Sequence, residues 1–216
     1  MRRAAAAAGA VVLALVLGSC GSSDASTSPV ANVSIQDDDG LNGVVLPKPY
    51  DVPSVTLQDG RGGTYDPATD ATKPLTLVFF GYTHCPDICQ VVMATVASAL
   101  TRLDDDQRAK VGMEFVTTDP ARDTRAVVRQ YAARFDPSFD GLTGDLPTIV
   151  RFGRALGVPI QRGTKLASGG YDVTHGTQVV GLRPDGTAPF VWTQGTDPAS
   201  LTQDIQKILE DKVPGL

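Results

Sequence analysis

Cysteine and histidine are scarce in this chain of 216 residues, which has three of the first and two of the second. Three thiols cannot build the disulfide framework that supports many small exported folds. No apolar run reaches the ~20 residues that a membrane-spanning helix needs. Basic side chains are also in deficit, 19 against 24 acidic ones, for a formal net charge of −5. Without a basic patch to supply affinity, nucleic acid is not an expected partner. No internal repeat is visible. The chemistry is thereby narrowed to Cys20, Cys85, Cys89, His84 and His175.

Cys20 belongs to the leader. Arg2 and Arg3 open the chain, Ala4 to Leu17 is apolar, and Leu17-Gly18-Ser19 precede the cysteine. A basic start, an apolar stretch and a small-residue cleavage site make the layout of an export signal. A cysteine directly after Leu-Gly-Ser resembles the bacterial lipobox, in which that cysteine is lipidated and becomes the mature N-terminus. The bland alternative is an ordinary signal with an incidental cysteine. Residues 1–19 read as a lipoprotein signal peptide, and residues 20–50 as a lipidated flexible tether that begins in the polar run Gly21–Pro29. The expected location is the outer face of a bacterial cytoplasmic membrane. Loss of Arg2 and Arg3 with the leader leaves the exported part more acidic still.

Residues 51–216 have the length of one domain. Val55–Leu57 and Thr64–Tyr65 flank a glycine-rich turn and predict an N-terminal hairpin extension. Leu75–Phe80 is continuously apolar, as in a strand buried on both faces. Helical spacing follows from Cys89 to Leu103, then a strand at Val111–Thr117 and helices at Asp123–Phe135 and Leu146–Leu156. Gln178–Leu182 and Phe190–Thr193 flank Arg183-Pro184-Asp185-Gly186, a hairpin turn. Pro198–Asp211 closes the chain as a helix capped by Asp197. This order predicts an α/β, thioredoxin-like fold, a mixed central sheet with helices on both faces.

Cys85 and Cys89 sit where the apolar strand turns into the next helix. Pro86 suits a first helical turn, which makes Cys85 the expected N-cap, with a thiolate favoured by the helix dipole. Four residues of helix separate the two Cα atoms by roughly 6 Å, within reach of a disulfide. The same placement lets both sulfurs meet one soft metal ion. Two inert core cysteines are the bland alternative, but exported free thiols are normally oxidised or liganded. His175 lies in Gly169–Gly176, read as a loop entering the hairpin's first strand. In a thioredoxin-like fold that loop approaches the active-site helix, where thioredoxins place a cis-proline; no proline occurs between Pro159 and Pro184. Two thiolates and one imidazole suit copper(I), with imidazole also suiting copper(II). Structural zinc wants four ligands and fits less well. His84 abuts Cys85 and is expected to point elsewhere.

Phe79-Phe80-Gly81-Tyr82-Thr83-His84-Cys85-Pro86-Asp87-Ile88-Cys89 resembles the signature of the Sco/SenC family of copper-binding, thioredoxin-like proteins. Thr117-Thr118-Asp119-Pro120-Ala121-Arg122-Asp123-Thr124 resembles its Asp-Pro-x-Arg-Asp-Thr segment. Phe139–Gly144 and the His175 region ahead of Pro184-Asp185-Gly186 follow in the family's order. Gln90 stands where a proline is usual, and Thr174 and Gly176 flank His175 where an acidic residue or serine is common. Neither departure removes a ligand. The resemblance implies a copper chaperone for the binuclear copper centre of cytochrome c oxidase subunit II, with Cys85, Cys89 and His175 as ligands. It also implies possible thiol–disulfide reductase activity, so enzyme status stays open. Another copper chaperone is an alternative partner, and a monomer is the default.

Asp119 and Asp123 match family positions. Asp123 reads first as a helix N-cap ahead of Thr124; as an alternative, these carboxylates could take up protons as the thiols bind metal. The competing function is an extracytoplasmic thiol–disulfide oxidoreductase or redox sensor that uses only Cys85 and Cys89. A peroxiredoxin-type peroxidase is disfavoured, because Tyr82 and Val78 occupy the places of its Thr or Ser and its Pro.

Overall fold

A computed structural model describes the backbone of residues 40–165 and 171–213, with side chains throughout except at 162–175. The leader, Cys20 and most of the expected tether lie outside these residues. The centre is β4 (Leu75–Gly81), buried along its whole length. It pairs in parallel with β5 (Val111–Thr117), which pairs in parallel with β6 (Asp140–Thr143). On its other side β4 meets antiparallel β9 (Val179–Leu182), then β10 (Thr187–Trp192) and β1 (Val44–Asp51). The hairpin of β2 (Leu57–Asp59) and β3 (Thr64–Tyr65) joins β6 at the far edge. The eight-stranded order is β1-β10-β9-β4-β5-β6-β2-β3. A separate pair, β7 (Ile160–Lys165) and β8 (Tyr171–His175), lies between α5 (Leu146–Ala155) and β9 in the chain.

Side chains alternate across a strand, so β4 serves two cores. Leu75, Leu77 and Phe79 join a cluster with α2 (Ile88–Leu100), α4 (Arg125–Ala133) and α6 (Pro198–Leu209). Val78 and Phe80 face the opposite cluster with Ile149 and Phe152 of α5 (Leu146–Ala155). Helices therefore cover both faces of a mixed sheet, and the fold is thioredoxin-like as expected. Two short helices, α1 (Pro67–Asp70) and α3 (Asp105–Ala109), complete the elements. Among the described residues no helix is long and apolar enough to cross a membrane.

Residues 44–50, expected in the tether, form edge strand β1 together with Asp51. Its start is fastened by the buried Asp204 carboxylate, which accepts from Asn42 N and Gly43 N at 2.8 Å and from Trp192 Nε1 at 2.8 Å. Residues 171–175, read as loop, form β8. The strand expected at Val55–Leu57 is shifted to Leu57–Asp59. Asp197 caps α6 as expected, accepting from Ala199 N and Ser200 N at 2.9 and 3.1 Å.

Candidate metal centre

The site is built where β4 ends. Gly81 O accepts from Thr118 N at 2.6 Å and from Thr118 Oγ1 at 3.2 Å, which fixes the strand's exit to the end of β5. The chain then turns back on itself, with Cys85 N donating to Tyr82 O at 3.1 Å. Helix α2 begins at Ile88, with Asp87 at the N-cap and no side-chain cap bond there. Cys85 is therefore not the N-cap, as expected from Pro86, but lies two residues before it. Pro86 has no N–H to lose in either place, so its presence did not fix the helix start. The sulfur still takes a helix-end donor: Cys89 N points at Cys85 Sγ across 3.4 Å. That bond satisfies one of the amides that the first helical turn leaves without an intrahelical partner.

Neither cysteine is in a disulfide and both are buried, Cys89 completely and Cys85 to 5% exposure. Burial pushes the Cys89 thiol well above its ordinary range, and its hydrogen bond with the Cys85 thiol adds to this. A backbone hydrogen bond from Tyr82 opposes the shift without cancelling it. Gly81 leaves room for the second sulfur. A Cβ there would stand 3.0 Å from Cys89 Sγ, 2.9 Å from Phe115 Cε2 and 3.0 Å from Phe79 Cε1.

Asp123 is not a helix cap. Helix α4 starts at Arg125 with Thr124 at the N-cap. The fully buried Asp123 carboxylate instead accepts from Thr83 N at 2.9 Å, Thr83 Oγ1 at 2.6 Å and Thr117 Oγ1 at 2.6 Å. It therefore ties the cysteine loop to the end of β5. Cap preference is local in sequence, whereas the Thr83 contacts span 40 positions, so the sequence pattern favoured the wrong role. Asp119 pairs with the Arg122 guanidinium, and Thr117 Oγ1 accepts from its N–H at 3.0 Å. Both carboxylates are thus engaged by protein donors. His84 is turned toward this network, with Nδ1 at 3.1 Å from Thr83 Oγ1 and 3.7 Å from Asp123 Oδ1.

His175 is described only by its backbone. It ends β8 opposite Ile160, and Gly176 N then donates to Pro159 O at 3.2 Å. Val179, four residues on, pairs with Phe79 in antiparallel register. Continued along β4, that register brings the residues just before Val179 to the end of the sheet where the cysteine loop leaves. Among the described residues no third His, Cys, Asp or Glu joins the two cysteines in a metal-sized group. The sequence reading did not anticipate Thr83 and Thr117 as anchors, since nothing local distinguishes them from ordinary loop and strand threonines.

The sequence profile of the SCO1/SenC family matches residues 52–210. The chain belongs to this family. A protein of Stutzerimonas stutzeri described as copper-binding is 31% identical, over 69% of this chain and 72% of that one. The mitochondrial SCO2 homolog of Bos taurus is 30% identical over 70% of this chain, a match that spans only 57% of the bovine protein. Apo Sco1 from Thermus thermophilus aligns with a TM-score of 0.70 at 26% identity, covering 78% of this chain and 96% of that one. Copper-bound ScoI of Arabidopsis thaliana aligns with a TM-score of 0.65 at 26% identity, covering 76% and 98%. In SCO1/SenC terms, the cysteine loop, the Asp123 anchor and the strand following His175 all lie within the matched segment.

Proposed function

We propose that this protein is a copper carrier that holds the ion with Cys85, Cys89 and His175 and delivers it to the binuclear copper site of cytochrome c oxidase subunit II. Lipidated Cys20 tethers it to the outer face of the membrane. The observation that carries this reading is the pair of buried thiols outside any disulfide at the end of β4, with Cys89 N–H aimed at Cys85 Sγ. Soft thiol ligands suit copper(I), and a copper-binding relative and a copper-bound structural neighbour support copper as the ion.

The chain's own residues set the chemistry. Burial keeps the Cys89 proton in place while the site is without metal. Binding one copper(I) through both sulfurs would release two protons, so metal entry supplies what burial opposes. The amide of Cys89 aims at Cys85 Sγ and supports negative charge on that sulfur. Thr83 and Asp123 hold the loop's approach, so a receiving protein meets a fixed pair rather than a loose one.

The same pair of thiols favours a second reading, a disulfide couple. Two electrons and two protons would convert the disulfide to the thiol pair, and a target's disulfide could be reduced in exchange. Copper-loaded protein mixed with the soluble domain of subunit II separates the two. Under the carrier reading copper leaves this protein and is found on the separated subunit II domain by metal analysis, and Cys85→Ser abolishes this. Reduction of an oxidised subunit II domain without metal transfer would leave the redox reading alone.

A further inference from the structure

Gln178 is buried to 7% exposure, whereas amide side chains mostly face water. It stands directly before β9, whose first residue, Val179, pairs with Phe79 of β4 and Trp192 of β10. In the other direction, past Gly176 and Thr177, lies His175 at the end of β8. Gln178 thus occupies the joint between the main sheet and the β7–β8 pair, which forms a two-stranded sheet of its own. The base of that pair is held from both strands. Ile160, the strand partner of His175, is buried, and a Cβ at Gly153 of α5 would stand 2.5 Å from its Cδ1. Gly176 N donates to Pro159 O at 3.2 Å, which ties the exit of β8 to the entry of β7. Gln178 joins the same base to the end of α5, as its Nε2 donates to Gly157 O at 3.0 Å. Its carboxamide also lies over Gly176, where a Cβ would stand 2.3 Å from Oε1. One buried side chain therefore bridges the residue after His175 and the glycine just past α5.

We propose that Gln178 is a positioning residue of the copper site, which clamps the exit of β8 and so fixes the backbone that carries His175. The proposal rests on the copper reading and adds a residue outside the three ligands. A ligand on a separate two-stranded sheet gives up backbone freedom when it binds, and that loss weakens binding. A buried hydrogen bond at the base of the sheet removes part of this freedom before copper arrives, which is preorganisation. Cys85 and Cys89 are held by a different segment, the loop anchored through Thr83 and Asp123. The clamp therefore acts on copper through His175 and leaves the chemistry of the thiol pair as it is.

The test is Gln178→Met, which keeps the length of the side chain and removes the donor. Copper(I) affinity against a competing chelator is measured for wild type, Gln178→Met, His175→Ala and the double variant. Amide exchange and the reduction potential of Cys85 and Cys89 are measured on the metal-free proteins. Gln178→Met should lose about threefold to tenfold in affinity, the worth of one hydrogen bond, and should add no loss to His175→Ala. The Gly176 amide should exchange faster in the variant, and the reduction potential should not move. Equal losses with and without His175, or a shifted potential, would mean that Gln178 supports the packing of the whole site, which overturns the proposal. Wild-type affinity or unchanged exchange in Gln178→Met overturns it as well. A wild-type protein that fails to bind copper(I), or binds it equally without His175, overturns the copper reading and this proposal with it. The wild-type and His175→Ala titrations thus tell the two failures apart.

Discussion

Removing the Asp123 carboxylate decides whether this residue is a cap or an anchor. Its oxygens accept three hydrogen bonds, from Thr83 N, Thr83 Oγ1 and Thr117 Oγ1, at a site without solvent exposure. A hydrogen bond to a charged group contributes about 1.5–3 kcal/mol, and such contributions do not simply add. Removing the acceptor leaves three neutral donors buried and unpaired, each at about 1–3 kcal/mol and less than additive together. Asp123→Ala should therefore cost about 3–5 kcal/mol, against about 0.5–2 for loss of a helix cap. Asp123→Asn keeps the shape and lets Thr83 Oγ1 accept from the new amide, so its cost should be about 1–2 kcal/mol. Thr124→Ala, at the true N-cap position, removes no cap hydrogen bond and should cost less than either. Urea unfolding followed by the fluorescence of Trp192, the chain's single, buried tryptophan, measures all three. An Asp123→Ala cost below about 2 kcal/mol would refute the anchoring argument.

Two further outcomes follow from the packing and charge. Burial pushes Glu114 up to about 8, opposed by the hydrogen bond from Tyr65 and reinforced by the charges of Asp140 and Asp70. Between the ordinary glutamate value of about 4.3 and that raised value, the native state holds a proton the unfolded chain has lost. Stability should thus fall as pH rises through this window, by at most about 1.4 kcal/mol per unit from this group, and Glu114→Gln should flatten the slope. Parallel urea profiles for both proteins at pH 5, 6, 7 and 8 would count against it. Gly81→Ala places a methyl 3.0 Å from Cys89 Sγ and 2.9 Å from Phe115, so it should cost about 1–3 kcal/mol and weaken copper(I) binding. Wild-type affinity in that variant would mean that the second sulfur is not confined as described.

The centre of the fold was legible because its signals are strong and local. Leu75–Phe80 is apolar at every position, and the β5 limits match the sequence expectation residue for residue. The edges were not. β1 reads Val-Val-Leu-Pro-Lys-Pro-Tyr-Asp, with two prolines that only an edge strand tolerates, and its order depends on Asp204, about 160 positions away. β6 has four residues, one a glycine whose missing side chain admits the α4 backbone, so its pattern is too short to read. β7 and β8 pair outside the main sheet, through the polar stretch Gln161-Arg162-Gly163-Thr164. The same division holds at the site. The spacing of Cys85 and Cys89 announced their meeting, while Asp123 owes its place to contacts with the distant Thr83.

The central claim is a copper site completed by His175, and the most direct measurement is an anaerobic copper(I) titration of the reduced protein against a competing chelator, with His175→Ala in parallel. The account predicts tight one-to-one binding that weakens at least tenfold, or about 1.4 kcal/mol, in the variant. Weak binding, or binding indifferent to His175, would contradict it and leave Cys85 and Cys89 as a redox pair.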